Sequence, residues 1–410
     1  MEKIVVTGTG AICSVGHTTE EVWENVLEGI SGLGPITLFD AEDYLVKVAC
    51  EVKNFDTANY ISPKEARRRD RYQHFSAVAV QEALAQSGLE ITDENAHRIG
   101  VVISTGVGGI GTMEDNILRM FENGHRKLNP FLIPMLMANG AAGLVGIDYG
   151  PQGPAIAVAS ACASGQDGIG IAWMMLRSGV IDVAIAGASE APITRLGVAA
   201  FDRLGATSHR GPSELTPSPF DLNRDGIVIG EGAAILILET ESHAKTRGAE
   251  ILVELAGYAA TSDAHHITAP QEEGLGGCRA MKEALKVSGI NPEQIDYINA
   301  HGTGTPLNDV AETKAIKSAF GMHAYEIPIS SSKSMTGHMM GATGALETVI
   351  CIQAVRENMI PPTINYYTPD PDCDLDYIPN EARQHEVAIA ISNAFGFGGH
   401  NAVLVVRQFS

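Results

Sequence analysis

The sequence predicts an α/β protein with covered, largely parallel sheets and an internal duplication. Three observations carry that prediction. Short apolar runs rich in β-branched residues recur along the 410 residues, with helical patterns between many of them, the alternation that buries a sheet under helices. Hydrophobic residues make up 45% of the chain and charged ones 19%, too apolar for disorder and ample for a sizeable core. Two helical stretches, 162–170 and 337–345, are dense in Gly, and each follows a strand with a reactive side chain at or near its start.

In chain order, strand-like runs stand at 3–7, 99–104, 155–160, 183–186, 234–238, 251–256, 295–300, 327–331, 387–392 and 402–406. Helical patterns cover 19–27, 63–85, 163–176, 276–288, 306–319 and 341–357, the fifth opened by Pro306 with Asp309 in its first turn. The 44 Gly and 19 Pro mark the turns, and no Ser/Pro linker separates autonomous modules. Each Gly inside a helix costs about 1 kcal/mol, so something must offset the cost in the two Gly-rich stretches. Close approach of each helix to its neighbours would do so, with one such helix in each half of a duplicated fold.

The charge sum of −21 disfavours a general affinity for nucleic acid or an anionic membrane surface, so an acidic partner requires a local basic patch. One exists: Lys64, Arg67, Arg68, Arg69 and Arg71, with Arg126 and Lys127 further on, although a solvated helix face reads the same way. The start, MEKIVVTGTG, lacks the uncharged core of a signal peptide and no apolar run spans a bilayer, which predicts a cytoplasmic protein. The six Cys show no close-paired spacing, so neither a disulfide framework nor a zinc ribbon is expected. Asp263, His265 and His266 fit no zinc signature, and no metal site is expected. Gly8 and Gly10 lack the rest of a dinucleotide fingerprint.

Cys162 ends the apolar run 157–161 and opens a helix. A thiol there meets the positive end of the helix dipole and free N–H groups, which lower its pKa and can hold an oxyanion on an attached acyl group. The other reading, an inert buried Cys, is assigned to the remaining five. His301 opens His301-Gly302-Thr303-Gly304-Thr305 after a strand, at the carboxyl end where ligands of α/β sheets collect, and His338 stands before the second Gly-rich helix. Either His alone reads equally as structural. The stretch 393–401, Asn-Ala-Phe-Gly-Phe-Gly-Gly-His-Asn, suits a gate loop placing Phe over a pocket, or simply a tight turn.

Together these motifs resemble the β-ketoacyl-[acyl carrier protein] synthases, and most of all their synthase II branch: Cys162, His-Gly-Thr-Gly-Thr from 301, Lys-Ser-Met-Thr-Gly-His from 333 to 338, and the Phe-Gly-Phe-Gly-Gly stretch. Pro219-Phe220-Asp221 with Arg224-Asp225-Gly226, Gly230-Glu231-Gly232-Ala233 and Pro361-Pro362-Thr363-Ile364-Asn365 extend the match to essentially the whole chain. The resemblance implies the thiolase fold, two βαβαβ halves (1–248 with Cys162, 249–410 with His301 and His338) in a five-layered αβαβα core, and a homodimer. It implies fatty-acid elongation by decarboxylative condensation of malonyl-carrier protein with an acyl chain on Cys162. His301 and His338 would serve decarboxylation, the N–H groups of Cys162 and Phe397 the oxyanion hole, and Lys333 and Glu347 would support the site. Thr303 and Thr305 would hold the phosphopantetheine arm; Val107 and Phe201 would wall the acyl pocket; Phe397 would be the gate; Thr268 and Phe395 would join the substrate-binding set. Lys64, Arg67, Arg68, Arg126 and Lys127 would dock an acidic acyl carrier protein, and no cofactor is implied beyond the phosphopantetheine that the substrates carry. His400 stands where Thr is common, Ile227 where Phe is, and Val107 is smaller than the usual Ile.

A polyketide-type ketosynthase would use the same Cys-His-His set. A cysteine hydrolase is suggested only by the 139 residues between Cys162 and His301, within the roughly 130–150 of papain-like enzymes, and the local signature disagrees. A carrier-binding scaffold would not need the thiol.

Overall fold

The computed structural model describes residues 2–211 and 215–410. Ten strands share one sheet: β1 (Ile4–Cys13), β2 (Ile99–Ser104), β3 (Ala155–Ile156), β4 (Val183–Glu190), β5 (Gly232–Thr240), β6 (Val253–Ser262), β7 (Tyr297–Asn299), β8 (Ile329–Ser330), β9 (Ile389–Gly396) and β10 (His400–Arg407). Their spatial order is β8-β7-β9-β10-β6-β1-β5-β4-β2-β3. All ten coincide with expected runs.

The duplication is written in the pairing. In the first half β1–β5 and β5–β4 are antiparallel, then β4–β2 and β2–β3 parallel. The second half repeats this: β6–β10 and β10–β9 antiparallel, then β9–β7 and β7–β8 parallel. The two arrays meet where β1 pairs with β6 through Val5 and Val6. The expected largely parallel sheets are therefore corrected to mixed ones. Apolar periodicity reports burial on both faces, not strand sense, and β9 and β10 are joined by a three-residue turn that only an antiparallel pair can use.

Five helices complete the layers: α1 (Arg71–Ser87), α2 (Ser164–Arg177), α3 (Leu275–Ser288), α4 (Pro306–Phe320) and α5 (Thr343–Glu357). α1 covers the outer face of the first array, α3 that of the second, and α2 and α5 lie between the arrays. Strand residues alternate accordingly. In β5, Ala233, Ile235 and Ile237 pack toward α1, while Ala234, Leu236 and Leu238 pack toward the central helices. This is the five-layered αβαβα thiolase fold.

The Gly-rich helices α2 and α5 are the central pair, and their glycines permit the contact. A Cβ on Gly165 would stand 2.8 Å from the Ala345 nitrogen, and one on Gly344 would stand 2.7 Å from Cγ of Gln166. Each helix is entered by the same turn. Ala161 (φ 52°) and Met340 (φ 46°) take left-handed backbone three residues before α2 and α5, at a cost of about 1–2 kcal/mol each. The residue after each elbow is Cys162 in one half and Gly341 in the other.

Two expected elements change. The pattern 63–85 is two helices, Pro63–Ala66 and α1, because Asp70 caps α1 in a capping box with Gln73. The run 155–160 keeps ladder pairing only at Ala155–Ile156 before the chain turns into the elbow.

Candidate active site

Cys162 sits in the elbow, backed by tight local bonding: Ser160 N donates to Ser164 Oγ at 2.9 Å, and Ser164 Oγ to the Ala161 carbonyl at 2.6 Å. The backbone N–H groups of Phe397 and of Cys162 itself act on the sulfur and lower its pKa. Those are the two donors an oxyanion on an acylated Cys162 would need. Gly396 makes their convergence possible, since a Cβ there would lie 3.0 Å from the Cys162 nitrogen and 2.9 Å from the Ser160 carbonyl oxygen.

The expected lowering of the Cys162 pKa is corrected. Burial pushes the thiol up to about 11, and the two N–H donors and the Lys333 charge offset only part of it. The free enzyme therefore holds a thiol, and its proton must leave as the sulfur attacks.

His301 follows β7, its turn held by Glu312 of α4, whose two carboxylate oxygens accept the His301 and Gly302 N–H groups at 2.8 Å each. Its ring meets that of His338 edge-on, centroids 5.4 Å apart, and Phe395 at 5.9 Å. Nδ1 of His301 is buried without a hydrogen-bond partner among the described residues. Nδ1 of His338 accepts the Met340 N–H at 3.1 Å. Burial, aided by the Lys333 charge, holds both imidazoles well below the ordinary 6.5, so both are neutral near pH 7. A neutral His338 accepting at Nδ1 carries its proton on Nε2, leaving an N–H donor.

Lys333 and Glu347 form a buried ion pair at 2.6 Å beneath the histidines, and burial lifts Glu347 to about 7 despite Lys333. Cys162, His301 and His338 open into one cavity of about 320 Å³, shared with Thr303, Thr305, Thr268, Phe201, Phe395 and Phe397. Thr303 and Thr305 face each other with hydroxyls 2.9 Å apart. Ile227 also lines the cavity.

Val107 is the one pocket residue the structure does not bring there: it is 44% exposed and absent from the lining, its N–H donating to Glu190 Oε1 at 3.2 Å. The basic cluster divides. Lys64 and Arg67 are exposed, as are Arg126 and Lys127, and Arg68 lies over the Phe131 ring at 4.8 Å, bringing the two segments together. Arg69 and Arg71 turn inward, to Asp148 (2.7 Å) and Glu231 (2.6 Å). His400 is exposed at the hairpin end, and His266 caps its own loop by accepting the Thr268 and Ala269 N–H groups at 3.1 Å each.

Sequence reasoning missed Glu312 and Glu190. Glu190, fully buried in β4, accepts from Thr105 Oγ1 (2.6 Å), Gly106 N (2.5 Å) and Gly341 N (3.1 Å), tying the first half to the elbow of the second. For Glu312 a signal existed: Asp309, Glu312 and Thr313 share a helical face with buried apolar residues.

Comparison with known proteins agrees along the whole chain. Residues 1–244 match the family described as Beta-ketoacyl synthase, N-terminal domain, and residues 252–367 match Beta-ketoacyl synthase, C-terminal domain. A 3-oxoacyl-[acyl-carrier-protein] synthase 2 from Synechocystis is 48% identical over 409 residues, covering 100% of this chain and 98% of its own. One from Staphylococcus aureus is 45% identical over 408 residues, covering 100% and 99%. A chain in the complex of a type II PKS acyl-carrier protein with its ketosynthase bound to the hexaketide superposes with TM-score 0.93 at 36% identity over 100% of both chains. A beta-ketoacyl synthase from Burkholderia phymatum gives 0.91 at 35% identity, again over 100% of both.

Proposed function

The chain belongs to the β-ketoacyl synthase family, and on that premise we propose how its cavity performs the family's condensation. The enzyme is a β-ketoacyl-ACP synthase, an acyltransferase that condenses malonyl-ACP with an acyl chain and lengthens a fatty acid by two carbons. The polyketide reading is favoured by full-length structural neighbours at 35–36% identity and yields to full-length relatives at 45–48%. The observation that carries the proposed chemistry is the meeting of the Cys162 sulfur, its two N–H donors and the two neutral imidazoles in one cavity.

Cys162 attacks the acyl thioester as its proton passes to the departing carrier thiol. Malonyl-ACP then enters, and its carboxylate carbon leaves as CO₂, the electron pair of the broken C–C bond collecting on the thioester as an enolate. The N–H donors of His301 and His338 stabilise that negative charge. The enolate carbon attacks the acyl carbonyl on Cys162; the oxyanion sits between the N–H groups of Cys162 and Phe397, and its collapse frees the thiolate. Electrons move only from a breaking to a forming C–C bond, so the proposed step needs no redox cofactor. Burial, aided by the Lys333 charge, keeps the imidazoles neutral, Thr303 and Thr305 hold the phosphopantetheine arm, and Phe397 gates the cavity.

We place the acyl carrier protein on the face carrying Lys64, Arg67, Arg68, Arg126 and Lys127, where exposed positive charge on a chain of net −21 steers an acidic partner. A homodimer is proposed on the opposite kind of surface: the edge strand β3 is exposed, and beside it the helices Ile110–Asn123, Leu132–Leu136 and Gly140–Tyr149 expose Phe121, Ile133 and Ile147. A cytoplasmic setting is supported by six free cysteines.

Incubation with acyl-ACP and malonyl-ACP should give β-ketoacyl-ACP and CO₂ in equal amounts; acyl-chain hydrolysis without condensation would contradict the reading. In the same assay, Lys64→Glu with Arg67→Glu should raise the carrier KM about tenfold with kcat nearly unchanged. An unmoved KM would refute the docking face.

A further inference from the structure

Arg71 belongs by sequence to the basic cluster, yet its guanidinium points into the protein. Nε donates to Glu231 Oε2 at 2.8 Å and an Nη to Oε1 at 2.6 Å, a planar two-point pair with a fully buried carboxylate. The Val52 N–H donates to the same carboxylate at 3.0 Å. Glu231 thus pins one end of the segment 228–231 to the first turn of α1 and to the strand around Cys50.

That segment holds His338. The His338 N–H donates to the Val228 carbonyl at 2.7 Å, and the Gly230 N–H donates to the His338 carbonyl at 2.8 Å. On its other side the Cys50 N–H donates to the Ile229 carbonyl at 2.8 Å. The result is a short three-chain lattice in which Cys50, Ile229–Gly230 and His338 lie side by side. No freedom is left in the packing: a Cβ on Gly230 would lie 2.6 Å from the Thr336 carbonyl oxygen, and one on Gly337 would lie 2.9 Å from Cys50. The backbone of His338 is therefore set by segment 228–231, whose register is fixed by a charge pair rooted directly behind Lys64, Arg67 and Arg68.

We propose that Arg71 and Glu231 are positioning residues for His338, and that Arg71 is not a docking residue. The proposal rests on the assignment of His338 to malonyl decarboxylation. Loss of the pair would let segment 228–231 shift and carry the His338 N–H off the enolate, while the elbow of Cys162, held by α2 and the β9–β10 turn, would stay in place.

The test compares Glu231→Gln, Arg71→Gln, Arg71→Lys and, as control, His338→Ala, reading CO₂ release from malonyl-ACP, single-turnover acylation of Cys162 and the malonyl-ACP KM. Glu231→Gln and Arg71→Gln should each slow CO₂ release about tenfold, with acylation and KM within about twofold of the parent, and the double variant should be no slower than the worse single one. Arg71→Lys keeps the charge but not the two-point geometry, and should show the same selective loss in smaller measure even if the glutamine variants do not fold. Equal loss of acylation and CO₂ release, unchanged CO₂ release, or a raised KM at constant kcat would overturn the proposal. Normal CO₂ release by His338→Ala would instead overturn the assignment beneath it.

Discussion

Replacing His338 with alanine should cut CO₂ release from malonyl-ACP by about 10²–10³-fold, the usual cost of removing one oxyanion donor, while acyl transfer to Cys162 proceeds near the parental rate. The reason is the tautomer: the Met340 N–H occupies Nδ1 of His338, so the neutral ring has one proton, on Nε2. His301→Ala should behave alike. Equal loss of both half-reactions would contradict the division of labour. The same neutrality sets the pH response. Folded, both imidazoles titrate well below 6.5; unfolded, they would titrate at that ordinary value. As pH falls through 6.5 the unfolded chain binds more protons than the folded one, so their contribution to stability is complete above 6.5 and is lost below it. Both rings keep their form down through 6.5, and the neighbouring group that titrates there is Glu347, lifted to about 7. CO₂ release by a Glu347→Gln variant should therefore be level from about pH 8 down through 6.5, and a fall centred on 6.5 in that variant would contradict the burial-driven shift of the rings.

Replacing Cys162 with alanine should abolish condensation while leaving CO₂ release. No other cysteine can substitute: Cys13, Cys50, Cys278, Cys351 and Cys373 are all buried, and none lines the cavity. The decarboxylating groups do not depend on the sulfur, since His301 is held by Glu312 and His338 by the Val228–Gly230 segment. Product formation by the alanine variant, or loss of CO₂ release along with condensation, would show that the thiol and the imidazoles are not separate devices.

The core was legible because its strands are buried on both faces. Ile235-Leu236-Ile237-Leu238 alternates between two layers of helices and so reads as one apolar run, and the sheet order and sense lie in pairings that no local run encodes. Cys162, His301 and His338 were legible because each stands at a junction where a strand or turn meets Gly and a helix. Arg69 and Arg71 read with the basic cluster, and their inward turn was not legible because their partners Asp148 and Glu231 are 79 and 160 residues away. The capping box of Asp70 and Gln73 was written in the sequence, but the helical pattern runs through it. The Cys162 pKa went the other way because the helix end is an argument from position, whereas desolvation depends on the whole layer packed above the elbow.

The central claim is that Cys162 carries the acyl chain in the cavity where the enolate forms, and intact-protein mass spectrometry with peptide mapping measures it directly. After acyl-ACP alone, one acyl mass should appear on the peptide containing Cys162; malonyl-ACP should then discharge it as β-ketoacyl-ACP, with one CO₂ per adduct lost. An adduct on another residue, or one released as free acid without CO₂, would contradict the account.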